Sequence, residues 1–235
     1  MKIEAKILAD FIKKVTLSGK IPSMILKFSK EGLSSKVMDT STIVLTEGLL
    51  LPKYIKDLEV INIPVKNTGI LLNFLRGFEG EVELKINLNK FSLFNSKKQV
   101  DLIMPAEEFI ENDLKIELKA VFDEGMNIKT EILRNVSESM NVLKSSSMHL
   151  KVENKTLNVS TGEEGFDSIS EKVPVSFNKD AKAEYGVLTK DVVSVLDDNI
   201  NISFKKDYPI QIKESLEKMH MRYIIAPLAV KGDSE

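Results

Sequence analysis

His149 and His220 are the only histidines, and both sit inside alternating apolar stretches, MHLKV and KMHMRYI. Catalysis or zinc binding would need partners for them at HxxxH or HExxH spacing, and the chain has neither. Cysteine is absent, which excludes disulfides, thiol nucleophiles and Cys-built zinc or iron–sulfur sites. No glycine-rich loop joins a strand to a helix, so no phosphate cradle is read, and GEEG at 162–165 is read as a turn. The acidic pairs Glu107-Glu108, Glu163-Glu164 and Asp197-Asp198 fall in loops or helix ends. Neighbours on a strand point to opposite faces, so such pairs serve solvation better than metal binding. No catalytic residue, metal or cofactor is expected.

The basic residues carry more information. Lys6, Lys13 and Lys14 lie off the apolar face of a first helix, with Lys20 just past its end. Lys129 and Arg134 stand off the apolar face of a third. Basic helix faces repeated at matching positions make a positive surface suited to phosphate backbones. No aromatic residue interleaves with them, so contact would be to backbone and independent of sequence. The formal charge of −2, from 33 basic and 35 acidic residues, excludes attraction by net charge and leaves a local basic face as the route.

The elements that must position these residues follow from periodicity. Leu8, Phe11, Ile12 and Val15 mark a helix buried on one side, with Gly19 as its stop. Met24, Leu26 and Phe28 alternate, SKEG turns, and Leu33, Ser35 and Val37 alternate back; MDTSTIVL is expected to continue as strand to Leu51. LEVINIPV is a strand, and Asn67 or Thr68 caps a second helix buried through Ile70, Leu71, Phe74 and Leu75 and closed by Gly77. Val82, Leu84 and Ile86 pair back with Phe91 and Leu93 across NLNK, and VDLIM follows as a strand.

Beyond residue 113, LKIELKAVF reads as a strand, and Ile128, Ile132, Leu133 and Val136 read as one face of the third helix. Met148, Leu150 and Val152 pair across ENK with Leu157 and Val159, and FDSISEKVPVSF is an edge strand. Thr189 caps a fourth helix with Leu188, Val192, Val193 and Leu196 apolar. Ile200, Ile202 and Phe204, then Ile210 and Ile212, then MRYIIAPL complete the strands.

The halves repeat. Ile12-Lys13 matches Leu133-Arg134, Leu33 matches Leu157, Leu71-Leu72 matches Val192-Val193, and Val82 matches Ile202, all at an offset of roughly 120 residues, outside the solenoid range. Two β-rich halves with two short helices each give an α+β fold. Between them lies an acidic linker, MPAEEFIEND, which exposes the apolar pair Phe109-Ile110. At 43% apolar and 29% charged, a folded protein is expected. With no apolar run near ~18 residues and a polar start, MKIEAKILAD, an intracellular one is expected.

Lys13-Lys14, the hairpin EGLSSKVMDTSTIVLTEGLLLP, the acidic linker, DYPI at 207–210 and MRYIIAP at 221–227 occur in that order. Together they resemble the sliding clamps of DNA replication, the proliferating cell nuclear antigen (PCNA) type, over nearly the whole chain. The resemblance implies an α+β protein of two tandem similar domains of the DNA-clamp fold, with sheets outside and two short helices per domain inside. The domains would span 1–104 and 114–235, with 105–113 as connector. Three copies would close head to tail into a homotrimeric ring around double-stranded DNA. Such a ring tethers DNA polymerase, the clamp loader and other replication and repair proteins through short clamp-binding peptides. It is not an enzyme, touches no membrane, and works on DNA in the cytoplasm or nucleoid, or in a eukaryotic nucleus.

By the same resemblance, DNA would be met by Lys13, Lys14, Lys20, Arg76, Arg134 and Lys190, with Lys129 added from the helix pattern. This lining is less basic than the family's usual one, so DNA contact is expected to be lopsided. The partner pocket would use Met38, Ile43, Leu45, Phe109, Ile110, Pro209, Ile224, Ala226 and Pro227. Subunits would join through Val100, Leu102 and Met104 of VDLIM against Ile169, Val173 and Val175. The alternatives are one subunit of a heterotrimeric ring, a monomeric processivity factor, and a diverged nucleic-acid-modifying enzyme.

Overall fold

The structure is a computed structural model that describes residues 1–41, 43–110, 113, 120–122, 125–145, 148–162, 167–176, 183–184, 190–204 and 208–226. Two compact units divide the chain: Met1–Leu118 with Ser215–Arg222, and Lys119–Glu214 with Tyr223–Glu235. The second unit therefore does not keep the whole C-terminal half, since Ser215–Arg222 belongs with the first.

The first unit runs β1 (Lys2–Glu4), α1 (Ala5–Val15), β2 (Met24–Ser29), β3 (Gly32–Met38), β4 (Val44–Leu50), β5 (Ile55–Lys56), β6 (Ile61–Val65), α2 (Thr68–Leu75), β7 (Glu81–Asn87), β8 (Lys90–Phe94) and β9 (Gln99–Ile103). Leu8, Phe11, Ile12 and Val15 are fully buried, as their i, i+3, i+4, i+7 spacing requires. The helix ends at Val15, where the Thr16 hydroxyl donates to the Ile12 carbonyl at 2.7 Å. Leu17, Ser18 and Gly19 then all take positive φ. α1 packs closely on β4 because position 48 has no side chain. A Cβ on Gly48 would lie 2.7 Å from Val15 Cγ2 and 2.9 Å from Phe11 Cε2. Of the two expected caps, Asn67 takes the role on α2: its side chain accepts from the Ile70 N–H at 3.0 Å.

The second unit runs β10 (Met126–Lys129), α3 (Glu131–Val142), β11 (His149–Glu153), β12 (Thr156–Gly162), β13 (Ser168–Pro174), β14 (Ala183–Glu184), α4 (Lys190–Val193), β15 (Asn199–Ser203), β16 (Ile210–Ser215) and β17 (Met219–Ile225), whose first residues cluster with the first unit. Its plan repeats that of the first. Strand order is β4-β3-β2-β6 in one and β13-β12-β11-β14 in the other. The register repeats too: Phe28 faces Leu33 across the first hairpin, and Val152 faces Leu157 across the second. Before each first helix a short strand pairs antiparallel with a later one, Ile3 opposite Val82 and Met126 opposite Ile202. Asn154 and Lys155 both have positive φ, the backbone of a tight two-residue hairpin turn.

Four expectations change. Ile70, expected on the buried face of α2, is 45% exposed, and the helix is buried through Thr68, Leu71, Leu72 and Leu75. MDTSTIVL is not one strand: Asp39 Oδ1 accepts from the N–H groups of Ile43 and Val44, both at 2.8 Å, and makes a turn that ends β3 and starts β4. Ile128 and Lys129 belong to β10, not to the third helix. Met126 and Ile128 are buried while Asn127 and Lys129 are exposed, a period of two that ends at Thr130. The fourth helix spans only Lys190–Val193; Leu188 and its expected cap Thr189 lie outside the described residues, as do 114–119 of LKIELKAVF and 163–165 of GEEG.

Candidate nucleic-acid interface and partner surfaces

In the first unit, α1 exposes Lys6 and Lys13, two helical turns apart, and Lys20 is exposed beyond the turn that ends the helix. Among the described residues neither Lys6 nor Lys13 enters an ion pair. Lys14 departs from expectation, being only 6% exposed. It lies two turns from the buried Ile7 and shares its side of the helix, so the stem is covered. Arg76 follows α2 directly, exposed, with Nη1 3.4 Å from Asn73 Oδ1.

The second unit holds its cations differently. Arg134 on α3 donates from Nη2 to the Leu196 carbonyl at 2.6 Å and from Nη1 to Asp198 Oδ1 at 3.2 Å. Lys190 on α4 donates to Asn141 Oδ1 at 2.7 Å. A cleft of about 330 Å³ lies between α3 and α4, lined by Arg134, Glu138, Asn141 and Lys190 among others. Lys129 is exposed on β10, opposite Asn199.

The turn that holds Arg134 is itself fixed from below. Glu214 is buried, and its Oε1 accepts the Asp197 N–H at 2.5 Å while Oε2 accepts the Tyr223 hydroxyl at 3.2 Å. Burial, then the Glu214 charge, pushes the Tyr223 phenol well above its ordinary value. Periodicity flagged Asp197-Asp198 only as solvated carboxylates. The partnership with Glu214 and Arg134 spans elements far apart in sequence, so no local spacing encodes it.

Each unit has one strand of interest at the end of a sheet. β9 is the last strand of β5-β1-β7-β8-β9, and β13 is the first of β13-β12-β11-β14. Val100, Leu102 and Met104 are half-buried, Ile169 is exposed, Val173 is half-buried and Val175 is buried. Ile103, absent from the expected set, is 76% exposed on β9. On the same strand, hydrogen bonds from the Ser92 hydroxyl and then Gln99 lower the Asp101 pKa.

The connector is pinned to the first unit at both ends. The Asp113 carboxylate receives Lys27 Nζ at 2.9 Å, and Asn62 Nδ2 donates to Glu107 Oε1 at 3.1 Å. Between these points a 3-10 turn, Glu107–Phe109, leaves Phe109 67% exposed while the next residue, Ile110, is 4% exposed. On the first unit's β3–β4 segment Met38 is half-buried, Ile43 is exposed and Leu45 is buried. In the second unit Pro209 and Ala226 are half-buried and Ile224 is buried; Pro227 lies outside the described residues. Among the described residues no three His, Asp or Glu side chains converge as a metal site, and no helix is long and apolar enough to cross a membrane.

No family model and no curated protein matches this sequence. Solved structures do. The PCNA of A. fulgidus, determined with the C-terminal region of FEN-1 bound, superposes with a TM-score of 0.80 at 12% identity over 96% of each chain. The PCNA of Entamoeba histolytica gives 0.77 at 15% identity, over 96% of this chain and 97% of that one. A chain of the PCNA2–PCNA3 complex of Sulfolobus tokodaii gives 0.74 at 17% identity, over 98% of this chain and all 100% of that one. Over almost its entire length, this chain has the two-domain α+β fold of the PCNA sliding clamps.

Proposed function

We propose that this protein is a DNA sliding clamp: a ring of like subunits that encircles duplex DNA and tethers a polymerase and other DNA enzymes, without catalysis of its own. One observation carries the reading, beside the fold. In the repeat, β4 of the first unit corresponds to β13 of the second, and β9 corresponds to β17. Beside β4 lies Met219–Arg222 of β17, within the same unit. The corresponding strands β13 and β9 are sheet edges, each with apolar side chains at its surface. Unpaired edges invite another chain. Seating β9 of one copy on β13 of the next repeats a junction the fold already contains, and it is head to tail, so copies close into a ring.

Three copies is the number that the resemblance to PCNA implies. The helix faces with Lys13, Lys20 and Arg76 are then the surfaces for the phosphate backbone. Phe109 with Met38 and Ile43 is the surface for a short partner peptide, in keeping with the FEN-1 segment bound to the archaeal relative. Clamp loader, polymerase and a DNA-associated location inside the cell belong to the same reading. Multi-angle light scattering of the pure chain tests it, with three times 26.4 kDa expected. A monomer that stays monomeric at high concentration would overturn the homotrimer.

A second reading has one observation in its favour. One relative is a complex of two different clamp chains, so this chain could serve as one subunit of a mixed ring. In that case it stays monomeric alone and closes only when a second chain is added.

A further inference from the structure

We infer that the first unit makes the clamp's phosphate contacts and that the second unit holds its own helix pair back from DNA, with Asp198 masking Arg134. The inference rests on the sliding-clamp reading and concerns how the duplex is held. Over α1, α2 and the turns that end them, the exposed charges are the cations Lys6, Lys13, Lys20 and Arg76 against the carboxylates Asp10 and Glu79. Glu79 is itself met by Lys97 at 3.4 Å. Over α3, α4 and their turns the balance inverts: Arg134, Lys144 and Lys190 face Glu131, Glu138, Asp191, Asp197 and Asp198.

Geometry deepens the difference. Arg134 turns Nη2 to the Leu196 carbonyl and Nη1 to the Asp198 carboxylate. A phosphate arriving there must compete with a carboxylate that is already paired with the guanidinium, and Glu138 lines the same cleft. The turn cannot easily retreat, because Asp197 N–H is bound by the buried Glu214 and the Asp198 carbonyl accepts from the Thr130 N–H at 2.9 Å. Lys6 and Lys13 have no such partner to lose. Free cations release counterions from DNA in full, and paired ones do not.

The test is titration of a short fluorescein-labelled duplex with the full-length protein at low salt, read by anisotropy, with light scattering to verify that each variant keeps its assembly. Lys13→Ala should weaken binding about three- to tenfold and lower the salt slope by about one. Arg134→Ala should change it by less than about twofold. Asp198→Asn should strengthen it about threefold, and the gain should vanish in the double variant with Arg134→Ala, the signature of coupling between the two. Equal losses for Lys13→Ala and Arg134→Ala, or no gain from Asp198→Asn, overturn the inference and leave the clamp reading standing. A wild-type protein that does not bind the duplex at low salt overturns both.

Discussion

Arg222 Nη1 lies 3.0 Å from Glu47 Oε2, and the other oxygen of the same carboxylate receives Lys36 Nζ at 3.1 Å. One glutamate on β4 thus gathers a cation from β3 and another from the late segment that joins the first unit. All three side chains are about a quarter exposed, so the triad sits in water's partial reach. Glu47→Ala leaves two cations together and should destabilise the protein by roughly 1 kcal/mol. That is a drop of about 2–4 °C in melting temperature by scanning calorimetry. An unchanged melting temperature would mean that the triad is ornamental.

The edges β9 and β13 predict a selective loss of assembly. Ile169→Asp places a charge on an exposed residue of β13 and should leave the fold intact, as seen by circular dichroism. The same variant should sediment as a 26.4 kDa monomer. If Ile169→Asp keeps the wild-type mass, the subunit contact lies elsewhere.

Phe109 and Ile110 look alike in the sequence, yet the structure separates them. Ile110, at 4% exposure, should behave as a core residue, and Ile110→Ala should cost about 2–5 kcal/mol in urea unfolding. Phe109, at 67% exposure, should tolerate alanine with less than about 0.5 kcal/mol lost. Its loss should appear in binding instead: roughly thirtyfold weaker affinity for a polymerase C-terminal peptide by titration calorimetry. Equal peptide affinity for wild type and Phe109→Ala would move the partner surface away from the connector.

Tyr223 predicts alkaline sensitivity. Its folded pKa is raised by burial first and the neighbouring Glu214 second, above an ordinary value of 10.0. The neutral phenol is the form the fold holds, so its contribution is complete below pH ~10 and is lost as pH climbs toward the folded value. Tyr223→Phe should cost about 1–3 kcal/mol at neutral pH, because buried Glu214 loses a donor. It should also flatten the fall in stability above pH ~10. Parallel alkaline curves for the two proteins would assign that fall to other groups.

Much of the fold was legible because it is written in local periodicity. The hairpins Met24–Met38 and His149–Gly162 carry alternating apolar residues and turn on short polar segments, so their strands could be read. Three-residue β1 is too short to show any period, and it exists because β7 and β5 flank it. Ile128 fitted a helical face by spacing alone, while its actual partner, Ile200, lies across a strand pair. The candidate site divided along the same line. Lys13 stands exposed where helical spacing puts it, but whether a cation is available depends on what meets it from afar. Arg134 meets Leu196 and Asp198, a pairing that no window of the sequence contains.

The division of β17 bears on the order in which the chain can acquire its structure. Gly48 and Glu47 of β4 are made before the second unit, whereas Met221 and Arg222, which complete that side of the first unit, are made after most of the second unit's strands. During synthesis the first unit therefore waits, with β4 unpaired on one side, until the second unit's strands up to β17 have emerged. A strand left open for that interval is a seam for wrong pairing. The early half is thus a dependent fragment, whose solubility is expected to rest on the late strand arriving or on a chaperone covering for it.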